Sequence, residues 1–391
     1  MGLSKIGREL TAITMGIDRF ERRVNDGRSL LDGEGLVPIY MGADLVAPRA
    51  YESWEVVQSD LRDLEKEVGA LPPGERQVFL TGMVASLKVA VRIFSGGSPT
   101  FAEKVTDLVG APAGRESEAV IEGARDALDQ LLTQEGFVRG SLNDRVQAWE
   151  ADRAVDADKL VGVFGELMDE ARRRTNEMIF DTGDYTMVLN PVSGVPYSAR
   201  CNFNEGQMDL NTDLAYSRAA LKHLVCHEVF PGHSTQLLYT RAEVDAGRST
   251  LDALLITTNA ITGCVQEGIG DQGIHLIDWV EDADDRIYQQ LRRLRSAAQT
   301  NAAWAYMVEG QPAEDTAAYL RDVAMGQEAW VRGRLRMAAH PFRGPFIASY
   351  WAGNEAVRKV RERVTPDTRE AFLVALFGRA QSPESLSMFA A

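Results

Sequence analysis

The run Cys226-His227-Glu228-Val229-Phe230-Pro231-Gly232-His233 places two of the chain's five histidines and a carboxylate within seven positions, 227 to 233. Imidazole and carboxylate are the usual ligands of a hydrolytic zinc ion. Glu228 beside His227 is the pair a metallohydrolase needs: the histidine holds the ion, and the carboxylate takes a proton from the water that the ion acidifies. In the HExxH arrangement of many zinc peptidases the second histidine follows at i+4, on the same helical face. Here it follows at i+6, roughly 240° around an unbroken helix, so the two rings would diverge.

Pro231-Gly232 changes that expectation. Proline has no N–H, and its ring clashes with the carbonyl four residues back, which is that of His227. The helix must kink or end, and Gly232 accepts backbone angles closed to other residues, so His233 can return toward His227. Two other readings stay open. The segment could be a plain helix junction with incidental histidines, or His223 and His227, at i and i+4, could form the ligand pair with His233 facing substrate.

A third ligand has to come from another element. Glu267 lies in Thr262-Gly-Cys-Val-Gln-Glu-Gly-Ile-Gly270, an apolar, glycine-rich helical run. A carboxylate there needs a partner, and a cation suits it best. Asp271, one turn on, reads equally as an orienting partner behind a ligating imidazole or as a polar residue at a bend.

The elements around these residues read as mainly helical. Period-3.6 patterning predicts helices over 52–68, 75–95, 116–135, 141–178, 214–229, 234–247, 251–277, 284–309, 313–338, 345–364 and 367–378. Ile287, Leu291, Leu294, Ala298, Asn301, Ala305 and Val308 make one buried stripe, interrupted by Asn301. That residue reads either as a hydrogen-bonded core amide or as a group facing a polar cavity. Between 180 and 213, residues 184–190 and 207–212 look like two strands joined through a turn at 191–196 into a small hairpin. The expected fold class is therefore mainly α, a multi-helix fold with a small β-hairpin near the site, metallopeptidase-like in its His-Glu ligand pair. Residues 1–179 would form an N-terminal helical region and 180–391 the metal-site region, the two making one continuous compact unit.

The chain has 391 residues, 45% hydrophobic and 25% charged, with a formal charge of −15 and a pI near 4.9. Such acidity argues against nucleic-acid binding. The first twenty residues lack an apolar signal-peptide core, and no run approaches the roughly 20 apolar residues of a membrane span. Met1-Gly2 begins a superficial myristoylation start, but Ile6 stands where Ser or Thr is needed. Cys201, Cys226 and Cys264 are too few and too scattered for a disulfide framework. The expectation is a cytoplasmic protein with no membrane partner.

At these residues the chain resembles the bacterial family catalogued as domain of unknown function 885, mainly helical zinc-peptidase-like proteins with an HE-x-x-PGH motif and a downstream Glu-Gly. His227-Glu228, Pro231-Gly232-His233 and Gln236 match the first motif, and Glu267-Gly268 the second. Gly344-Pro-Phe-Ile-Ala-Ser-Tyr350-Trp-Ala-Gly353 is similar to a C-terminal segment of the family. The resemblance covers roughly 180–380 and implies His227, His233 and Glu267 as zinc ligands, Glu228 as base and Tyr350 as a stabiliser of the oxyanion. The chain departs from the family at Ile269, where many members carry an aromatic residue. It also has no histidine between 276 and 339.

Arg343, Asn301 and Arg200 are the remaining substrate-binding candidates: Arg343 as an anchor for a carboxylate, Asn301 from the helical stripe, and Arg200, with Asn202, beside a strand that could pair with an extended peptide. His275 and His340 read as structural or surface residues, Cys226 and Cys264 as small buried ones. The functional expectation is a Zn²⁺-dependent hydrolase, with another divalent metal as an alternative, acting on a small peptide or amide. A non-peptidase Zn or Fe metalloenzyme acting on a small biosynthetic intermediate, and an inactive binding protein of the same fold, are the rivals. A homodimer is compatible with the sequence.

Overall fold

The computed structural model describes residues 2–25, 30–31, 35–42, 45–195 and 199–390. Fourteen helices of nine residues or more form its frame: α1 Gly2–Val24, α2 Trp54–Gly69, α3 Glu75–Phe94, α4 Glu118–Gln134, α5 Leu142–Asp152, α6 Leu160–Met178, α7 Arg218–Glu228, α8 His233–Asp245, α9 Thr262–Leu276, α10 Ala283–Met307, α11 Ala313–Val323, α12 Glu328–Ala339, α13 Ile347–Arg361 and α14 Arg369–Phe377. The expectation of a mainly helical chain holds. The sequence reading leaves α1 unassigned and runs several helices together.

The breaks have local causes. The 141–178 run divides because the Val155 N–H turns to the Tyr216 carbonyl at 2.8 Å, joining the segment that leads into α7. The 313–338 run divides at Met325, which takes φ 52° before Gly326. The 251–277 run begins as a 3-10 turn, Leu251–Leu254, and a two-residue strand before α9 starts. In α10 the predicted stripe is buried as far as Ala305, whereas Val308 is 44% exposed.

The sheet corrects the expected hairpin. Strands β2 (Val188–Val192) and β4 (Gln207–Asn211) do pair, but in parallel, with Val188 opposite Gln207. The connection between them holds a third strand, β3 (Ala199–Asn202), which doubles back on β4 in antiparallel register, Asn202 opposite Gln207. This leaves β2 on the other edge, giving the order β2-β4-β3. Pro196, the end of the expected turn, lies outside the described residues. A second, two-stranded sheet pairs β1 (Ile39–Tyr40) with β5 (Leu255–Ile256) and so brings the segment after α1 to the segment before α9.

The hydrophobic core follows the same pattern. One cluster packs α1, α2 and α3 against Ile261, Cys264, Phe342, Ile347 and Ala352. A second joins α6 and the three-stranded sheet to α7, with Phe230 and Trp279 almost fully buried. A third lies between α4, α5, α10 and α11. Each side chain of this kind contributes roughly 1.5–3 kcal/mol by leaving water. Helix α3 departs from the expectation that no segment could span a bilayer: it is 20 residues long with mean hydropathy 1.5. Its Phe79, Leu80, Met83, Val84, Leu87 and Val91 are spent on the first cluster, which accounts for its apolarity.

Candidate metal centre

Helix α7 carries the first candidate ligand and packs in the second cluster, against α6 and the three-stranded sheet. Ser217 caps its start, accepting from the Ala220 N–H at 3.1 Å, which satisfies one of the free donors of a first turn. Leu221, Val225, Cys226 and His227 are all buried. The helix ends at Glu228, as Pro231 requires, and α8 begins at His233 with Gly232 before it. A Cβ on Gly232 would collide with the His227 carbonyl, so glycine is needed here for close approach.

The carbonyls freed at the end of α7 are taken by α8. Ser234 Oγ donates to the Glu228 carbonyl at 3.0 Å, and Thr235 donates to the Val229 carbonyl through its N–H at 3.1 Å and its hydroxyl at 2.9 Å. This junction sets the two imidazoles together: the rings of His227 and His233 lie 4.8 Å apart, nearly perpendicular at 88°.

Glu267 arrives from α9. Its Oε2 lies 3.3 Å from His227 Nε2, and one ligand atom from each of His227, His233 and Glu267 falls within 4.8 Å of the others. Two donors held at Zn–ligand lengths of about 2.0–2.1 Å in a tetrahedron stand about 3.3–3.4 Å apart. Glu267 Oε2 is also buried without a hydrogen-bond partner. A buried carboxylate oxygen left in that state costs free energy unless a cation meets it, so the donor set fits a divalent ion.

The opposite edge of the His227 ring faces Asp271, with Nδ1 3.3 Å from Oδ1. Asp271 is held in turn by Arg292 at 3.0 Å and Asn354 at 3.4 Å. The ring approaches α9 so closely that a Cβ on Gly270 would stand 2.6 Å from Nδ1. Behind α9, α13 packs equally closely, since Gly268 and Gly353 meet each other's helix backbones where a Cβ would clash. His223 forms a second set with His227 and Asp271, its Nε2 3.6 Å from the same Asp271 oxygen.

Electrostatics separate the histidines. Burial opposes protonation of His227, but Asp271, Glu267 and Glu228 together raise its pKa to about 10. Burial lowers the pKa of His233 and depresses that of His223 well below the usual value, with neighbouring His227 and Arg292 respectively adding to the effect. Burial would raise the pKa of Asp271, yet Arg292 and His227 hold it below the carboxylate range. The cavity edge thus concentrates negative charge that a cation would offset.

His233 and Glu267, with His227 behind them, border a cavity of about 460 Å³. Glu228, His233, Glu267, Tyr350 and Arg343 line it together, as do Gln236, Cys201 and residues 256–259 at the end of β5 and beyond it. Burial, then Glu267, pushes the Tyr350 phenol up to about 12. Burial and nearby Glu228 push the Cys201 thiol up, so it stays protonated.

Two sequence candidates lie elsewhere. Asn301 accepts from the Glu116 N–H at 2.7 Å and donates to the Glu116 carbonyl at 3.1 Å, so its amide clamps the loop before α4 and does not line the cavity. Arg200 is exposed on β3, and its neighbour Cys201 is the residue that reaches the cavity. His340 holds a turn, Nδ1 accepting from the Phe342 and Arg343 N–H groups at 3.2 and 2.9 Å. Reading the sequence missed Arg292 and the walls at Pro38-Ile39 and 256–259, whose places depend on long-range packing with no local pattern to announce them.

No family model and no curated protein matches the chain. Solved structures do. A candidate lipoprotein of unknown function from Shewanella oneidensis aligns with TM-score 0.55 at 16% identity, over 85% of this chain and 70% of its own. A candidate lipoprotein from Colwellia psychrerythraea aligns with TM-score 0.57 at 14% identity, over 86% and 63%. This chain therefore spans about two thirds of their lengths, and the likeness is one of fold.

Proposed function

We propose that the protein is a divalent-metal hydrolase of amide bonds, with zinc the expected ion, in line with its resemblance to domain of unknown function 885. The observation that carries this reading is the convergence of His227, His233 and Glu267, the last with a buried oxygen that makes no hydrogen bond, with His233 and Glu267 on the cavity lining beside Glu228. When bound, the ion would polarise the scissile carbonyl and make an attacking water acidic enough for neutral pH.

The chain's own groups do the rest. Asp271 Oδ1 lies 3.3 Å from His227 Nδ1 and Glu267 Oε2 3.3 Å from Nε2, so the Asp271 carboxylate would orient the ring with Nε2 toward Glu267. Glu228 takes the proton of the attacking water and returns it to the leaving nitrogen. Tyr350, with its pKa near 12, keeps its proton at neutral pH and donates to the oxygen on which charge develops.

Glu228→Gln tests this division of labour. Bound metal per chain should stay at the wild-type level while hydrolysis of a mixed peptide library falls by about 10²–10⁴-fold. Undiminished turnover in that variant would contradict the mechanism. Metal binding by the wild type with no hydrolysis would favour the binding-protein reading instead.

Location is a separate proposal. The sequence reading points to the cytoplasm, whereas the solved neighbours are described as lipoproteins, a class that is exported and anchored. Fractionating cells that express the native gene and following the chain between cytosol and membrane decides between the two.

A further inference from the structure

The cavity lining divides into polar groups that the fold uses itself and polar groups that it leaves over. Ser234 Oγ donates to the Glu228 carbonyl at 3.0 Å, and Thr258 Oγ1 donates to the Gly35 carbonyl at 3.1 Å. Asn259 donates its side-chain amide to the Phe342 carbonyl, and the Arg343 guanidinium is already engaged in the fold, one of its donors on the Leu31 carbonyl. What is left over is neutral. The side-chain amides of Gln236 and Gln266 stand on the lining, half-buried, and make no hydrogen bond among the described residues. Thr257 stands there too, only 4% exposed, and its buried Oγ1 has no partner.

These three groups come from three elements, each next to the proposed centre or facing the same cavity. Gln236 lies one turn along α8 from His233, on the same helical face. Gln266 immediately precedes Glu267 on α9, and Thr257 follows β5. The Thr257 segment is fixed from behind, since the Thr258 N–H donates to the Leu36 carbonyl at 2.8 Å. Folded proteins pair nearly all their buried hydrogen-bonding groups, so an unpaired hydroxyl on a cavity wall is one that a ligand can complete. A glutamine amide carries donors and an acceptor together, which matches the N–H and C=O of a substrate amide.

Charged ends are poorly served by the same walls. A terminal carboxylate would approach the carboxylates of Glu228 and Glu267 in a chain of net charge −15. A terminal ammonium would find Glu267 on the ion and Glu228 at the attacking water. The remaining walls are largely apolar, with Ile39, Leu237, Ile256, Met337 and Phe346 among them, so a charge brought there loses water without return. At about 460 Å³ the cavity is at the small end of the roughly 300–1,000 Å³ typical of ligand sites.

We infer that the site takes small amides with no charged end, dipeptide-sized and apolar in their side chains, and that Gln236, Gln266 and Thr257 hydrogen-bond the amide groups flanking the scissile bond. This rests on the amide-hydrolase reading above, and it adds the substrate class: neutral on both sides of the bond that is cut.

Calorimetric titration of the full-length, zinc-loaded Glu228→Gln protein, which binds without turnover, tests it. The probes are N-acetyl-L-leucyl-L-phenylalaninamide, the same peptide with a C-terminal carboxylate, and the same peptide with a free N-terminal amine. The neutral probe should bind at least about tenfold more tightly than either charged one. Adding Gln236→Met, Gln266→Met or Thr257→Val should each weaken the neutral probe by about three- to tenfold. Thermal unfolding separates recognition from structure: Thr257→Val removes a hydroxyl that the fold leaves unpaired, so its midpoint should hold or rise. Equal or tighter binding of a charged probe, binding of none of the three, or undiminished affinity in all three variants would overturn the inference, and a lower midpoint in Thr257→Val would return that residue to a structural role. The ratio among the probes needs no further variant, so a misfolded one leaves the test intact. The wild-type hydrolysis assay keeps the two readings apart: turnover indifferent to charged ends removes only the neutral substrate class, and selective binding of the neutral probe without turnover removes only the hydrolase.

Discussion

The set His227, His233, Glu267 and the set His223, His227, Asp271 offer the same kinds of ligand atom, each within 4.8 Å, and they share one imidazole. They differ in what already surrounds them. Asp271 is engaged by Arg292 and Asn354, a cation and an amide the protein supplies itself. Glu267 Oε2 meets only the shared His227 ring, at 3.3 Å, and makes no hydrogen bond among the described residues, while Glu267 and His233 line the cavity next to Glu228. Proximity of ligand-type residues is therefore a weak criterion. A buried carboxylate oxygen that makes no hydrogen bond and has access from outside is a stronger one. The closed set then reads as the support for the open one, because Asp271 fixes the ring that both share.

Removing ligands sharpens this contrast most. His233→Ala or Glu267→Gln should abolish stoichiometric metal binding, whereas His223→Gln should retain it. Metal analysis of the purified variants reads the difference, and the reverse pattern would exchange the roles of the two sets. A smaller effect is expected behind the ligand. Asp271→Asn should lower metal affinity by about 10–100-fold in competition with a chelator, without abolishing binding. Unchanged affinity would reduce Asp271 to a partner of Arg292.

The smallest effect concerns stability, on the same helix but away from the ligands. Burial, reinforced by Arg361, lowers the His275 pKa to about 4. The unfolded chain, with an ordinary value near 6.5, binds that proton first as the pH falls. His275 therefore withdraws stability between about pH 6.5 and 4 and is neutral in its effect above that window. Replacing it with Gln should recover on the order of 2 kcal/mol at pH 4 relative to pH 7, as denaturant titrations would show. An identical pH dependence in the variant would remove His275 as the cause.

Much of the open set is legible in the sequence because it is local. The steric conflict of Pro231 with the His227 carbonyl, the glycine that follows it and the acid in a glycine-rich apolar run all act within a few residues of the ligands. Asn301 shows the limit: a polar residue in an apolar stripe allows two readings, and only the Glu116 backbone, 185 positions away, decides for the clamp. Arg292 and β1 reach the site the same way, through partners distant in sequence. The strand β3 is only four residues long, too short for its alternation to stand out from its surroundings.

Anomalous diffraction from zinc-soaked crystals of the wild-type chain tests the central claim most directly. The account predicts one strong peak bonded to His227 Nε2, His233 and Glu267, with Asp271 behind the ring. A peak bonded to His223 and Asp271, or no peak after a saturating zinc soak, would contradict it.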